Sequence, residues 1–554
     1  MNATMAVTAA PPTSARNSRF AENSAVWPLL ALGVLLAMQF TMAFTRAVNW
    51  DEFWFYHHVT EFARGNLAQP LQSFHVRLFA WLPGIPGNTV DKIVMGRLAM
   101  LGCEIVTLGA IYLMARRFLE RAPAILVALL YISAGFVFQH GFSFRTDPVA
   151  TACLMASLAI LLRSRLDMKA LAAFALLVAL AGMITIKVAL YAPAFLGIAW
   201  LRWSESEYAK TTALRLILAA AGSLAMFAAL YFWHAQDLSA PASGAGMAGS
   251  ASRLMFFLGI PPYWHIALKG AAFSIVFTIM IVITPSLLRR SGAPLAEKLA
   301  LAGLWLPVLV PLFYLNTLAY FYAFILAPVA VSCAPAVSAA LKRYSIKMIA
   351  LVLLVITTGV FIVEDRSVID RQHQIASVAE ETFPRDIAYF DHNGMLPVFD
   401  KANWLMTPVA IAGYREDGVA TYRAEMERRP VPLLLINHEK IQAIMDGSDE
   451  VLLPEDLQAL RDTYQPFWGP FYLAGADVEA GEQRVQEFLV PGPYTVMGGA
   501  MEIDGENHAA GDIVQLERGM HALAAPDSAS HLQWGESLAR PAEEWEEGDI
   551  YVAY

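Results

Sequence analysis

Long apolar runs alternate with short polar breaks from residue 27 to residue 363, and then the pattern stops. The runs near 27–45, 97–116, 122–139, 147–163, 169–186, 187–201, 211–233, 270–288, 296–314, 317–340 and 345–363 approach the ~20 residues a helix needs to cross a bilayer. They predict a polytopic α-helical membrane protein with about eleven transmembrane helices. Within 169–201, Gly182, Lys187 and Pro193 predict a tight re-entry between two short spans. After 364 the chain reads as soluble. Asp386–Asp391 and Val431–Asn437 look like buried strands bounded by turn residues, with helical patterns over Ala420–Arg429 and Pro454–Tyr464. A C-terminal soluble α/β layer over 364–476 is expected. From 477 to 554 the apolar runs are short and alternating, as in Val485–Val490, Tyr494–Met497 and Ile513–Leu516. Ile503-Asp504-Gly505, Gly511 and Gly519-Met520-His521 punctuate them, which predicts hairpins and a terminal β-sandwich-like segment. Such modules pack or bind carbohydrate.

Basic residues set the expected orientation, because short loops rich in Lys and Arg stay in the cytoplasm. Arg16 and Arg19 precede the first run, and Arg116, Arg117 and Arg121 follow the second. Every second break is then basic: Arg163, Arg165 and Lys169; Arg202, Lys210 and Arg215; Arg289, Arg290 and Lys298; Lys342, Arg343 and Lys347. This predicts a cytoplasmic tail over 1–26, a membrane domain over 27–363 and an outer C-terminal part, periplasmic in a Gram-negative cell. The first run is long for a secretory signal and begins late, so it reads as an uncleaved anchor in a bacterial inner (plasma) membrane.

Composition agrees with the pattern. The chain of 554 residues is 57% hydrophobic and 16% charged, with mean hydropathy +0.47, which excludes an ordinary soluble protein. Its net charge of −9 comes with no basic stripe, so nucleic acid is not an expected partner. Cys103, Cys153 and Cys333 all lie in apolar runs and build neither a disulfide framework nor a zinc cluster.

Trp50-Asp51-Glu52-Phe53-Trp54-Phe55-Tyr56 follows the first run at once. Aromatic rings anchor helix ends at the headgroup level. Two adjacent carboxylates there have no such reason and mark a functional site. Asn49 could cap a short helix with both acids in its first turn, which is the structural explanation. The functional one is a general base for an acceptor hydroxyl. Trp50, Phe53, Trp54 and Tyr56 offer faces to a sugar or an isoprenoid chain. Arg145-Thr146-Asp147-Pro148 opens a later span on the same side, where positive residues do not collect. Asp147 also fits a plain N-cap, whereas a guanidinium at Arg145 suits a phosphate. Lys187 lies in an apolar stretch, where it either snorkels or binds a lipid phosphate. Tyr320 and Tyr322, flanking Phe321, are belt residues or lining residues. His57, His58, His75 and Arg77, with Glu52, could hold a divalent metal, though no tight ligand spacing supports one. No nucleotide-binding fingerprint is present.

A carboxylate-bearing first outer loop directly after the first span resembles the GT-C superfamily of membrane glycosyltransferases. The order Asp51-Glu52 is similar to the loop motif of protein O-mannosyltransferases and aminoarabinose transferases. The resemblance covers about 27–363, with the α/β layer plausible to 476. It implies that Asp51 is the catalytic base and Glu52 its partner. It implies a second loop at Arg145–Pro148, whose Asp147 faces the site, with Arg145 and Lys187 on the donor phosphate and Trp50, Trp54, Tyr56, His57, Tyr320 and Tyr322 lining the site. The implied partners are a polyprenyl-phosphate-linked sugar and a glycan, lipid or protein acceptor, within membrane lipid. The competing class is a transporter or flippase of a lipid-linked saccharide; the notable charges cluster at one face and no internal repeat supports it. A third class is a sensor or assembly factor acting through its soluble part.

Overall fold

The computed structural model describes residues 14–239, 256–257, 259–448 and 451–552. Side chains of 14–24 and of residue 409 are outside that description. Among the described residues, five helices are long and apolar enough to span a bilayer: Ala25–Thr45, Thr89–Ala115, Thr146–Arg163, Ala209–Ala235 and Leu295–Leu312. Three bent helix pairs raise the number to as many as eight if each pair is one span. Of the about eleven expected spans, several are thus broken or short helices. The run 270–288 is bent by 104° between Trp264–Phe273 and Ile275–Arg290, and 317–340 by 59° between Phe321–Ser332 and Ala334–Leu341. Arg121–Ile132 and Met168–Ile184 are shorter apolar helices. Breaks are tolerated in a membrane where neighbouring helices or side chains satisfy the freed backbone groups.

Thr146–Arg163 forms the centre of the bundle, with 83% of its span window buried, whereas only 11% of Ala209–Ala235 is buried. The second helix presents Ile217, Leu224 and Phe232 outward, as a lipid-facing helix does. Helices Ala192–Ser204 and Leu295–Trp305 cross on glycine. A Cβ at Gly303 would stand 2.3 Å from the Pro193 carbonyl oxygen, and one at Gly197 2.9 Å from that of Leu299. Small residues allow this close backbone approach where lipid supplies no hydrophobic drive.

Among the described residues, the C-terminal part contains twelve strands: β1 (Ala388–Phe390), β2 (Asp400–Lys401), β3 (Leu433–Leu435), β4 (Tyr464–Trp468), β5 (Phe471–Val478), β6 (Gln483–Phe488), β7 (Gly492–Gly498), β8 (Met501–Ile503), β9 (Glu506–His508), β10 (Ile513–Leu516), β11 (Gly519–Ala524) and β12 (Ser530–Trp534). One sheet has the order β10-β7-β12-β5-β3-β1-β2, with β4 on β5, and a second has β6-β11-β8-β9. β1 runs parallel to β2 and β3, and the other pairings are antiparallel. β5 crosses the expected boundary at 476/477 and pairs with β3 on one side and β12 on the other. The α/β layer and the β-rich segment thus share a sheet. Phe488 of the second sheet meets Tyr494 of the first edge-on at 5.4 Å. Asp504 and Gly505 form a two-residue hairpin turn between β8 and β9, with φ of 55° and 87°. Positive φ at both positions matches the right-handed twist of the strands.

Candidate active site

The first helix ends at Thr45, and the chain turns into a second helix, Trp50–Arg64. Asn49 caps it, accepting from the Asp51 amide at 3.1 Å, while the Glu52 carboxylate accepts from the Asn49 amide at 2.9 Å. This reciprocal capping box satisfies donors that a helix start leaves open. It also fixes which way the two neighbouring acids point.

Glu52 points inward. Its oxygens accept from Arg97 Nε at 2.8 Å, Arg97 Nη2 at 2.6 Å and the Phe144 amide at 2.7 Å. Burial by itself would raise the Glu52 pKa, but the Arg97 guanidinium and the three hydrogen-bonding partners hold it below its ordinary value. Arg97 spends its remaining donors on the carbonyls of Ala43, Arg46 and Ala47. Glu52 and Arg97 are almost fully buried. Glu52, expected as the partner of Asp51, joins the first helix, the second helix and the loop before Arg145 through these bonds. Among the described residues, no three His, Cys, Asp or Glu side chains gather to hold a metal.

Asp51 points the other way and keeps 18% of its side-chain surface. Its carboxylate accepts from Arg145 Nη1. Arg145 Nε stands 3.7 Å from Asp147 Oδ2, and Lys187 Nζ donates to Asp147 Oδ1. The Arg145 guanidinium lies over the Tyr320 ring, 3.3 Å from its centroid. Lys187 stands 5.8 Å from the same ring. Tyr320 donates its hydroxyl to Asn316 at 2.7 Å. Two carboxylates and two cations from three separate segments therefore form one row.

Local structure explains how each member arrives. Arg145 precedes the helix Thr146–Arg163 in extended conformation, and Asp147 sits in that helix's first turn. Its carboxylate is only 2% exposed and stands between Arg145 and Lys187. Helix Met168–Ile184 ends at Thr185, whose hydroxyl caps the turn Ile186–Tyr191 that carries Lys187. The break inside 169–201 is what turns Lys187 toward Asp147. Gly96 admits Phe144: a Cβ there would lie 2.4 Å from the Phe144 ring.

The remaining expected residues go elsewhere. Tyr56 is 2% exposed and packs edge-on to Phe144 at 6.5 Å; burial raises its phenol above the ordinary range. His57 stacks on Trp54 at 5.3 Å, and the Gly394 loop packs on its ring. Burial pushes His57 down to about 3, and does the same to His58, down to about 4. Tyr56 and His57, expected as lining residues, are both buried, and the Gly394 loop lies against His57 on this face of the helix. Tyr322 stands against Phe136 at 5.6 Å, with its hydroxyl buried. Trp50 faces the soluble layer, where its ring meets His438 at 6.0 Å and Tyr551 at 6.2 Å. Asn393 donates to the Trp50 carbonyl at 2.9 Å. Sequence reasoning missed Arg97, Asn393 and His438. Arg97 carried one signal: it is a basic residue at the outer end of an apolar run, on the side where positive charge is rare.

The chain shares its fold with ArnT from Cupriavidus metallidurans bound to undecaprenyl phosphate, with a TM-score of 0.54 and 10% identity over 77% of this chain and 96% of that one. The apo state of the same protein gives 0.51 and 11% over 76% and 94%. The Archaeoglobus fulgidus oligosaccharyltransferase in complex with Zn and sulfate gives 0.45 and 11% over 80% and 73%. No protein-family model and no curated protein sequence matches the chain.

Proposed function

We propose that the protein is a glycosyltransferase that moves a sugar from a polyprenyl-phosphate carrier to an acceptor hydroxyl, with Asp51 as base. The membrane is a bacterial inner membrane, the N-terminus is cytoplasmic and the sheet-bearing part is periplasmic. The observation that carries this reading is the row Asp51–Arg145–Asp147–Lys187 beside the end of the first membrane helix. The fold shared with ArnT, crystallised with undecaprenyl phosphate, supports it.

The chemistry is a single displacement. Asp51 takes the proton of the acceptor hydroxyl. The acceptor oxygen attacks the anomeric carbon, and the bond from that carbon to the phosphate oxygen breaks. The electron pair leaves with the lipid phosphate, and the anomeric configuration inverts. Arg145 and Lys187 meet the charge as it grows on the phosphate. An arriving phosphate competes with Asp51 for Arg145, so donor binding also uncovers the base. Asp147 keeps the two cations together before the donor arrives.

The test is a transfer assay in nanodiscs, with radiolabelled polyprenyl-phosphate sugars as donors and membrane extract as acceptor. The wild type is expected to transfer label, and folded Asp51→Asn to lose about 10²–10⁴-fold of the rate. Equal transfer by both would remove Asp51 as the base. Binding of labelled lipid without transfer would favour the transporter class.

A further inference from the structure

In open α/β sheets, ligands bind outside the carboxyl ends of parallel strands. Here β1 continues into His392 and Asn393, and β3 into Asn437 and His438. The His392 and His438 rings stack at 3.9 Å and 7°. The strand ends meet Trp50, the residue before Asp51. A cavity of about 410 Å³ opens there between Trp50, Asn437, His438, Glu439 and Gln442, with Gly548–Val552 as its far wall. That size falls within the roughly 300–1,000 Å³ of small-molecule sites.

The wall is built and held. The Ile550 carbonyl accepts from Gln372 Nε2 at 2.7 Å and the Asp549 carbonyl from Arg371 Nε at 2.9 Å. Tyr551 donates its hydroxyl to Asn393 Oδ1 at 3.0 Å. Gln372 in turn accepts from the Val48 amide at 2.7 Å, which ties the wall to the turn before Asp51.

The lining selects by charge. Among the described residues, no Lys or Arg lines the cavity, while Glu439 and Asp549 do. Burial pushes the His438 imidazole below its ordinary value, which disfavours its cationic form. An anionic group would meet negative charge here and no cation. Neutral hydroxyls would meet the Gln442 amide, which can donate and accept, carboxylates that accept, and an indole wall.

We propose that this cavity is the acceptor subsite and that it takes a neutral sugar residue of a glycan acceptor. The inference rests on the transferase reading above. Its test is calorimetric titration of full-length Asp51→Asn protein in nanodiscs. The probes are neutral methyl glycosides and short neutral oligosaccharides, each compared with its phosphorylated counterpart. Neutral probes are expected to bind, phosphorylated ones more weakly, and Gln442→Ala or Glu439→Gln added to that background to raise the Kd about tenfold. Failure of every neutral probe to bind, tighter binding of phosphorylated probes, or equal binding by the variants would overturn the subsite. With Asp51 intact, transfer whose acceptor KM does not rise in Gln442→Ala would overturn the subsite and leave the transferase reading standing. Neutral binding weakened by Gln442→Ala, with no transfer from any donor, would keep the cavity and remove the transferase reading.

Discussion

Arg97 donates five hydrogen bonds, two to Glu52 and three to carbonyls at the end of the first helix. Breaking a buried pair by removing one partner leaves an uncompensated charge, at about 3–5 kcal/mol. Glu52→Gln is therefore expected to lower the thermal midpoint in detergent sharply. The double variant Glu52→Gln/Arg97→Met is expected to lose less than the sum of the single losses. Additive losses would mean that the two side chains do not act as a pair. Acid acts on the same region through two sets of groups. The folded Glu52 pKa is depressed, so its contribution is present above the ordinary carboxylate value and is lost as pH falls through the folded value. His57 and His58 are held neutral, at about 3 and about 4. Their contribution is complete above the unfolded imidazole value of about 6.5 and is lost progressively as pH falls toward those folded values. Thermal stability is expected to drop from pH 7 to pH 5, and His58→Gln to flatten the slope. An unchanged slope in that variant would remove His58 from the effect.

At the scale of elements, the site depends on close approaches that glycine permits. Gly96 on helix Thr89–Ala115 leaves room for the Phe144 ring, whose backbone amide is bound by Glu52 and whose neighbour is Arg145. Gly96→Ala is expected to displace that loop, and with it Arg145. The transfer rate should fall more than the thermal midpoint does, because the row of charges loses its register before the bundle loses its packing. A proportional fall in both would make the residue structural only. The break between Ile184 and Ala192 has a similar role for Lys187. Its existence was legible in Gly182, Lys187 and Pro193. The direction in which it turns Lys187 was not, because that is set by Asp147, forty residues earlier.

At the scale of the molecule, the sheet-bearing part grips the turn around Asp51 at several points. Gln372 pairs with both backbone groups of Val48, Asn393 holds the Trp50 carbonyl, and Arg64 donates to the carbonyls of Pro397, Val398 and Phe399. Gln372→Leu is expected to raise amide exchange at residues 46–52 and to slow transfer, without unfolding the sheet. Unchanged exchange there would separate the two parts functionally. Orientation belongs to this scale too. After replacement of Cys103, Cys153 and Cys333, a cysteine at Asp446 is expected to react with an impermeant maleimide in intact spheroplasts. One at Ser206 should react only after permeabilisation. The reverse result would invert the topology.

The chain alone determined the membrane class, the change of hydropathy pattern near 364, and the suspicion that fell on Asp51, Arg145 and Lys187. It could do so because hydropathy and the cost of charge beside hydrocarbon are local properties of a sequence. Many strands and turns were equally local, as at Ile513–Leu516 and Asp504-Gly505. Only the tertiary structure decided that Asp51 and Glu52 point opposite ways, because that depends on Arg97, forty-five residues from Glu52, and on Arg145. The tertiary structure alone also joined β5 to β3 and β12 across an expected boundary, and laid the strand ends against Trp50. Those outcomes come from pairings between distant segments, and no short window of sequence contains both partners.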